Sequence, residues 1–159
     1  MRKYWIPLLV LVLVVLATVV VLRQSQVFAQ TPGTVKVTPT TVTRVTLYKV
    51  NTGQRPAFDQ DMLTNLIPIY EEYKKAGIIT EYQIFNNATT DNANDWGVGV
   101  ALTYPNFAML DNLADRTDPI TLKHYGSAAK RQAAADRRGQ IRIVVSSRLL
   151  NGLRYSGTT

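Results

Sequence analysis

A single histidine, His124, and the complete absence of cysteine set narrow bounds on what this 159-residue chain can do chemically. Without thiols there is no disulfide, no cysteine nucleophile and no sulfur-ligated metal. A serine triad would have to be built around His124, and no nucleophile-elbow motif accompanies it. Zinc sites draw on several histidines, cysteines or carboxylates, and the first two are scarce, so no metal site is assigned. Glu71 and Glu72 are adjacent on a predicted helix, cannot share a face, and read as surface charge. Gly97-Val98-Gly99 lies inside an extended run rather than at a strand-to-helix turn, which rules it out as a phosphate loop. No catalytic residue is assigned. What remains is an aromatic set: Tyr48, Tyr82, Trp96 and Tyr104, with His124, are the candidates to line a pocket for a small apolar ligand. Ordinary packing in the core or an interface is the competing role for the same rings. Asn87-Ala88-Thr89 is a glycosylation acceptor, meaningful only for an exported chain in a glycosylating host.

The elements that must position these residues follow from periodicity. Arg44–Val50 alternates and reads as a strand, broken by Asn51-Thr52-Gly53. Pro56 to Lys75 reads as a helix, with an apolar stripe of Phe58, Met62, Leu66, Tyr70 and Tyr73. Gly77 closes it, and Pro68 inside it predicts a kink. Ile78–Phe85 is a second strand and Asn86–Asn94 a polar loop. The third strand, Trp96–Tyr104, is large on one side (Trp96, Val98, Val100, Leu102, Tyr104) and small on the other (Gly97, Gly99, Ala101, Thr103). Glycine in a strand marks close approach of another backbone or a ligand. Either helices lie over the small side or that side borders a cavity. Asn106 caps a short helix, Phe107–Ala114. Asp118-Pro119 starts a longer one that runs to Arg138 and stops at Gly139. Ile141–Leu149 is the last strand.

The amino-terminal end gives the compartment. Arg2 and Lys3 precede an uncharged apolar run, Trp5–Leu22, and Val27-Phe28-Ala29 resembles a cleavage site. These are the parts of a secretory signal. Eighteen residues also reach the lower limit for a membrane-spanning helix, so a retained anchor is the alternative. The predicted organisation is therefore 1–29 signal peptide or anchor, 30–43 Thr/Pro-rich linker, 44–150 folded domain, and 151–159 flexible tail. An edge strand through Val35 and Val37 is the alternative to a linker. The predicted location is periplasmic or secreted, or anchored in the inner membrane.

Strand, helix, strand, strand, helix, strand is the split βαβ order. It predicts an α+β, ferredoxin-like domain: a four-stranded antiparallel sheet with both helices on one face. The other face would be bare, and monomers rarely tolerate such a patch. A symmetric homodimer is the simplest remedy, with Val98, Val100 and Leu102 as the predicted contact face.

With "PIYEEYKKAG" before the second strand and "SSRLL" in the last, the chain resembles the dimeric α/β-barrel superfamily, and within it exported bacterial members. The resemblance spans roughly 44–150 and rests on loose motifs. It implies a scaffold shared by cofactor-free monooxygenases, haem-degrading enzymes and proteins without catalysis. In the haem-degrading members a helix histidine ligates iron beside a strand tryptophan, and a first-strand asparagine points into the pocket. His124 and Trp96 echo the first two. The first strand has Thr46, Tyr48 and Lys49 but no asparagine before Asn51. The reading favoured here is therefore a non-catalytic ligand-binding or structural module without a cofactor. A cofactor-independent monooxygenase, or a haem-binding enzyme using His124, is the alternative.

Charge is unevenly distributed along the chain. Residues 56–118 hold three basic and ten acidic residues, and residues 119–159 hold eight basic and one acidic. The spacing predicts an acidic flank carrying the first helix and a basic flank carrying the carboxy-terminal part with Arg44 and Lys49. Such polarity can steer dimer halves together. No stacking-aromatic motif accompanies the basic residues, so no nucleic-acid partner is predicted; solvated and internally paired charge is the leading role, with attraction to anionic surfaces behind it.

Overall fold

The computed structural model describes residues 35–89, 92 and 94–157. The apolar segment Trp5–Leu22 and the cleavage-like motif lie outside them. The folded domain is the unit Val37–Arg154; a second unit comprises Met1–Lys36 and Tyr155–Thr159. Among the described residues no helix is long and apolar enough to cross a membrane.

Four strands form one sheet: β1 (Lys36–Val50), β2 (Glu81–Asn86), β3 (Val98–Tyr104) and β4 (Arg142–Ser156), in the order β2-β3-β1-β4. β3 is antiparallel to both β1 and β2. β4 is antiparallel to β1 as well. The Asn51 amide donates to the Ile141 carbonyl, Thr46 Oγ1 lies 3.3 Å from Ser147 Oγ, and Thr40 lies against Gly152, so one strand runs back as the other advances. With helical arms between β1 and β2 and between β3 and β4, this is the ferredoxin-like topology.

The first arm is α1 (Arg55–Asp61), a π-helical turn (Met62–Leu66) and α2 (Ile67–Lys75). The π turn explains the fate of Pro68. A proline ring clashes with the carbonyl four residues back. Widening the preceding turn, so that the Ile67 amide reaches the Met62 carbonyl, relieves that clash without ending the helix. The second arm departs from expectation. It is two helices, α3 (Leu113–Tyr125) and α4 (Ala128–Ile141), after a short 3₁₀ turn at Phe107–Leu110. The stop is Gly126, left-handed at φ 77°, and Ser127 caps the next helix through the Lys130 amide. Asp118-Pro119 sits within α3, and α4 passes straight through Gly139.

α1 packs along α4 and α2 along α3, and both arms cover one face of the sheet. That face is the large one. Val98 and Val100 are 1% and 2% exposed and pack with Tyr48, Tyr104, Phe58, Met62, Ile69 and Tyr70; Leu102 packs against the same cluster. The predicted dimer contact of Val98, Val100 and Leu102 is therefore overturned: these residues are the subunit's own core. The domain has few large side chains besides these to fill the space beneath two helical arms, so burial claims them first. The predicted helix cover on the small side is likewise corrected. Phe85 lies on that side, opposite Gly99, and a Cβ on Gly99 would run into its ring.

Both strand ends extend further than predicted. β1 begins at Lys36, within the predicted linker, and β4 reaches Ser156, within the predicted tail. β1 pairs with β3 only from Val42 to Tyr48. Its earlier residues have β4 alone beside them. Pro39 is tolerated there because one side of β1 needs no amide donor. The result is a two-stranded ribbon that runs past the four-stranded sheet.

Candidate functional site

The aromatic candidates do not converge on one pocket. Tyr48 and Tyr104 are buried at opposite ends of the β1–β3 pairing, in register with Val98 and Val42. Tyr82 is half-buried on β2 and donates to Glu71 Oε1 at 2.6 Å. Trp96 packs edge-on to Phe85, with ring centroids 5.7 Å apart, toward the side the helices leave free. His124 is exposed on α3 in the outer helical layer. His124 and Trp96 therefore lie in different parts of the domain.

Two other arrangements stand out. The first is the uncovered side of the sheet. Register places Thr43, Val45 and Leu47 of β1, Ala101 and Thr103 of β3, and Gln83 and Phe85 of β2 on it. On β4, Arg142 turns beneath the helices, its guanidinium 4.0 Å above the Tyr48 ring and 5.5 Å from that of Phe58. Alternation then turns Ile143 and Val145 to the uncovered side, at 54% and 45% exposure; Val144, on the helix side, is 56% exposed too, because β4 is the edge strand. Further along, Leu149 and Leu153 on the same side as Ile143 are about half exposed as well, as is Leu150 on the other. β4 thus tucks the half-buried Arg142 under the helices and leaves its aliphatics exposed.

The second is a polar chain joining the two helical arms. Arg138 Nε donates to Asp61 Oδ2 at 2.8 Å, with side-chain exposures of only 17% and 13%. Burial works against the Arg138 charge, but the bond to Asp61 and its charge outweigh that and raise the Arg138 pKa. Asp61 Oδ1 accepts from Asn65 Nδ2 at 2.8 Å. This fixes the amide, so Asn65 Oδ1 must accept, and His124 Nε2, 3.1 Å away, is the donor. His124 Nδ1 is left outside the chain. The Tyr125 ring stands edge-on to the imidazole, 4.9 Å between centroids, and its hydroxyl accepts from Arg138. Asp61, Asn65 and Arg138 carried no local signal, because partners 59 and 77 residues away are invisible to periodicity.

The acidic first arm and the basic second arm lie side by side, not on opposite flanks: Asp61 holds Arg138 across them, and Asp118 holds Arg131 at 2.8 Å within the second arm. The Asn87 amide of the glycosylation motif is committed to the loop, donating to Asp95 and the Trp96 carbonyl.

No protein-family model matches the chain, and no curated protein matches it. Among solved structures it is similar to a dimeric ferredoxin-like protein from an uncultured marine organism, at 10% identity over 75% of this chain and 96% of that one, TM-score 0.40. It is also similar to a dimeric protein of unknown function and ferredoxin-like fold from Bacteroides fragilis, at 14% identity over 70% and 94%, TM-score 0.36. A third likeness is to the apo form of CPII from Thiomonas intermedia, a nitrogen regulatory PII-like protein, at 11% identity over 79% and 100%, TM-score 0.28. Likeness at this level speaks of the fold alone, and the strand order establishes that fold by itself.

Proposed function

We propose that this chain is one subunit of an exported homodimer, a non-catalytic ligand-binding or structural module in which two sheets pack through the side their helices leave uncovered. The exposed aliphatic row of β4 carries this reading. Full burial of such a side chain is worth about 1.5–3 kcal/mol. Ile143, Val145, Leu149 and Leu153, which alternation puts on the uncovered side and which are about half exposed, therefore leave on the order of 5 kcal/mol unrealised per subunit. A two-fold axis doubles that gain, because the same patch serves both copies. The doubled gain is comparable to the association cost of about 4–15 kcal/mol. The ribbon adds to the case, since two strands alone are marginal in water and gain from a third surface. Export is supported by Arg2, Lys3, Trp5–Leu22 and Val27-Phe28-Ala29.

Sedimentation equilibrium tests the assembly. The expected mass is twice that of the subunit, and Val145→Glu and Leu149→Glu, both at exposed sites, are expected to give folded monomers. A wild-type protein that stays monomeric at about 10 μM, a concentration that reveals any but a weak dimer, overturns the reading. Substitutions at Val100 cannot serve here, since they would disrupt the core.

A further inference from the structure

Two charged walls face each other across a cleft of about 630 Å³ between α2 and α3. Lys75 and both Glu71 and Glu72 belong to the α2 wall, so the expectation that the two carboxylates share no face is corrected; Lys123 and His124 belong to the α3 wall. Pro68, Pro119 and Ile120 supply apolar surface between them. The volume falls within the range of small-molecule sites, which are mostly apolar with a few fixed polar groups.

Both walls carry an anchor that is already oriented. Tyr82 holds one oxygen of Glu71, at 2.6 Å, and leaves the other available. Asn65, itself fixed by the partly buried Asp61–Arg138 pair, holds the His124 ring through Nε2 and so fixes that part of the α3 wall beside Lys123. Such pre-orientation lowers the cost of binding. Among the described residues, the ion pair of this region stays within one wall, Lys75 with Glu72 at 2.6 Å, and no ion pair reaches across to Lys123.

The balance of charge selects the ligand class. Glu71 and Glu72 offset Lys75 and Lys123, so a simple anion or cation meets repulsion as well as attraction. A molecule carrying both charges meets attraction at both ends. We propose that this cleft binds a small zwitterion, its carboxylate against Lys123, its ammonium against Glu71 and Glu72, and its apolar middle on the prolines. A free amino acid or a short ω-amino acid has this chemistry. Contacts this open to solvent place the affinity in the millimolar range and make it fall with salt.

The site is separate from the uncovered sheet side, so its test is independent of the assembly. His124 is the sole histidine of the chain, and its ring protons therefore report the cleft without ambiguity. The full chain is titrated by NMR, at fixed pH, with glycine, 4-aminobutyrate and 6-aminohexanoate, and with acetate and methylammonium as singly charged controls. The expected result is a saturable His124 shift from at least one zwitterion, about tenfold tighter than either control. Lys123→Ala and Glu71→Gln should each weaken that titration severalfold. Both residues are at the helix surface, and Gln keeps an acceptor for Tyr82. No shift from any zwitterion, an equal shift from acetate, or an unchanged titration in Lys123→Ala overturns the proposal.

Discussion

Tyr70 and Tyr73 show how placement alone changes a side chain's chemistry. Burial pushes the Tyr70 hydroxyl well above its ordinary range, with Tyr48 adding to the effect and Arg142 opposing it. Tyr73 is pushed up to about 12, chiefly by burial and against its hydrogen bond to Thr117. A tyrosine whose folded pKa exceeds its unfolded one contributes stability that is fully present below about pH 10 and is lost as pH climbs through the folded value. Urea unfolding is therefore expected to give constant stability near neutrality. Above about pH 10 it should fall by about 1.4 kcal/mol per pH unit for each such tyrosine. Tyr70→Phe should make that fall shallower. An unchanged stability at about pH 11.5 contradicts the placement of both rings. At this scale the sequence was only partly legible. The apolar stripe through Met62, Leu66 and Tyr70 was visible in helical spacing and is buried as that spacing requires. The small row around Gly99 marked a close approach, but which ring approaches depends on strand pairing, and Phe85 is supplied by register rather than by neighbourhood.

The helices show where local signals compete. Gly126 and Gly139 are both punctuation marks in principle, yet only Gly126 stops a helix. It sits at φ 77°, where a Cβ is strained, whereas Gly139 lies within α4 with open space around its Cα. Opposite outcomes follow for the same substitution. Gly126→Ala is expected to destabilise the domain by about 1 kcal/mol, and Gly139→Ala to stabilise it by about 0.4–1 kcal/mol. Thermal or denaturant melts of the two variants decide it, and equal signs would be incompatible with this chain path. The order of strands and helical arms was legible because each has its own period. The division of the second arm was not, because the alanine-rich run favours helix on both sides of Gly126 and hides the break. The full length of β1 was hidden by Pro39, since a proline argues against a central strand and β1 is central for only half its length.

At the scale of the molecule, charges that segregate along the chain come together in space. Arg138 and Asp61 join the two helical arms, so the arms recognise each other rather than presenting two poles to a partner. The proposed association surface is aliphatic instead, and the proposed zwitterion cleft lies on the helical side. The proposed export has its own measurement: amino-terminal sequencing of the protein recovered outside the cytoplasm should begin at Gln30. A start at residue 1 indicates a retained anchor.

The pairing of β1 with β4 has a mechanical consequence. The two strands run in opposite directions, so Val37 and Arg154 leave the domain from the same end of the ribbon. Force applied between Val37 and Arg154 would part the strands like a zipper, one hydrogen bond after another, instead of shearing many at once. The tug would spend itself first on the ribbon, where β1 has a single neighbour, and would meet real resistance only at Val42, where β3 takes hold of the other side.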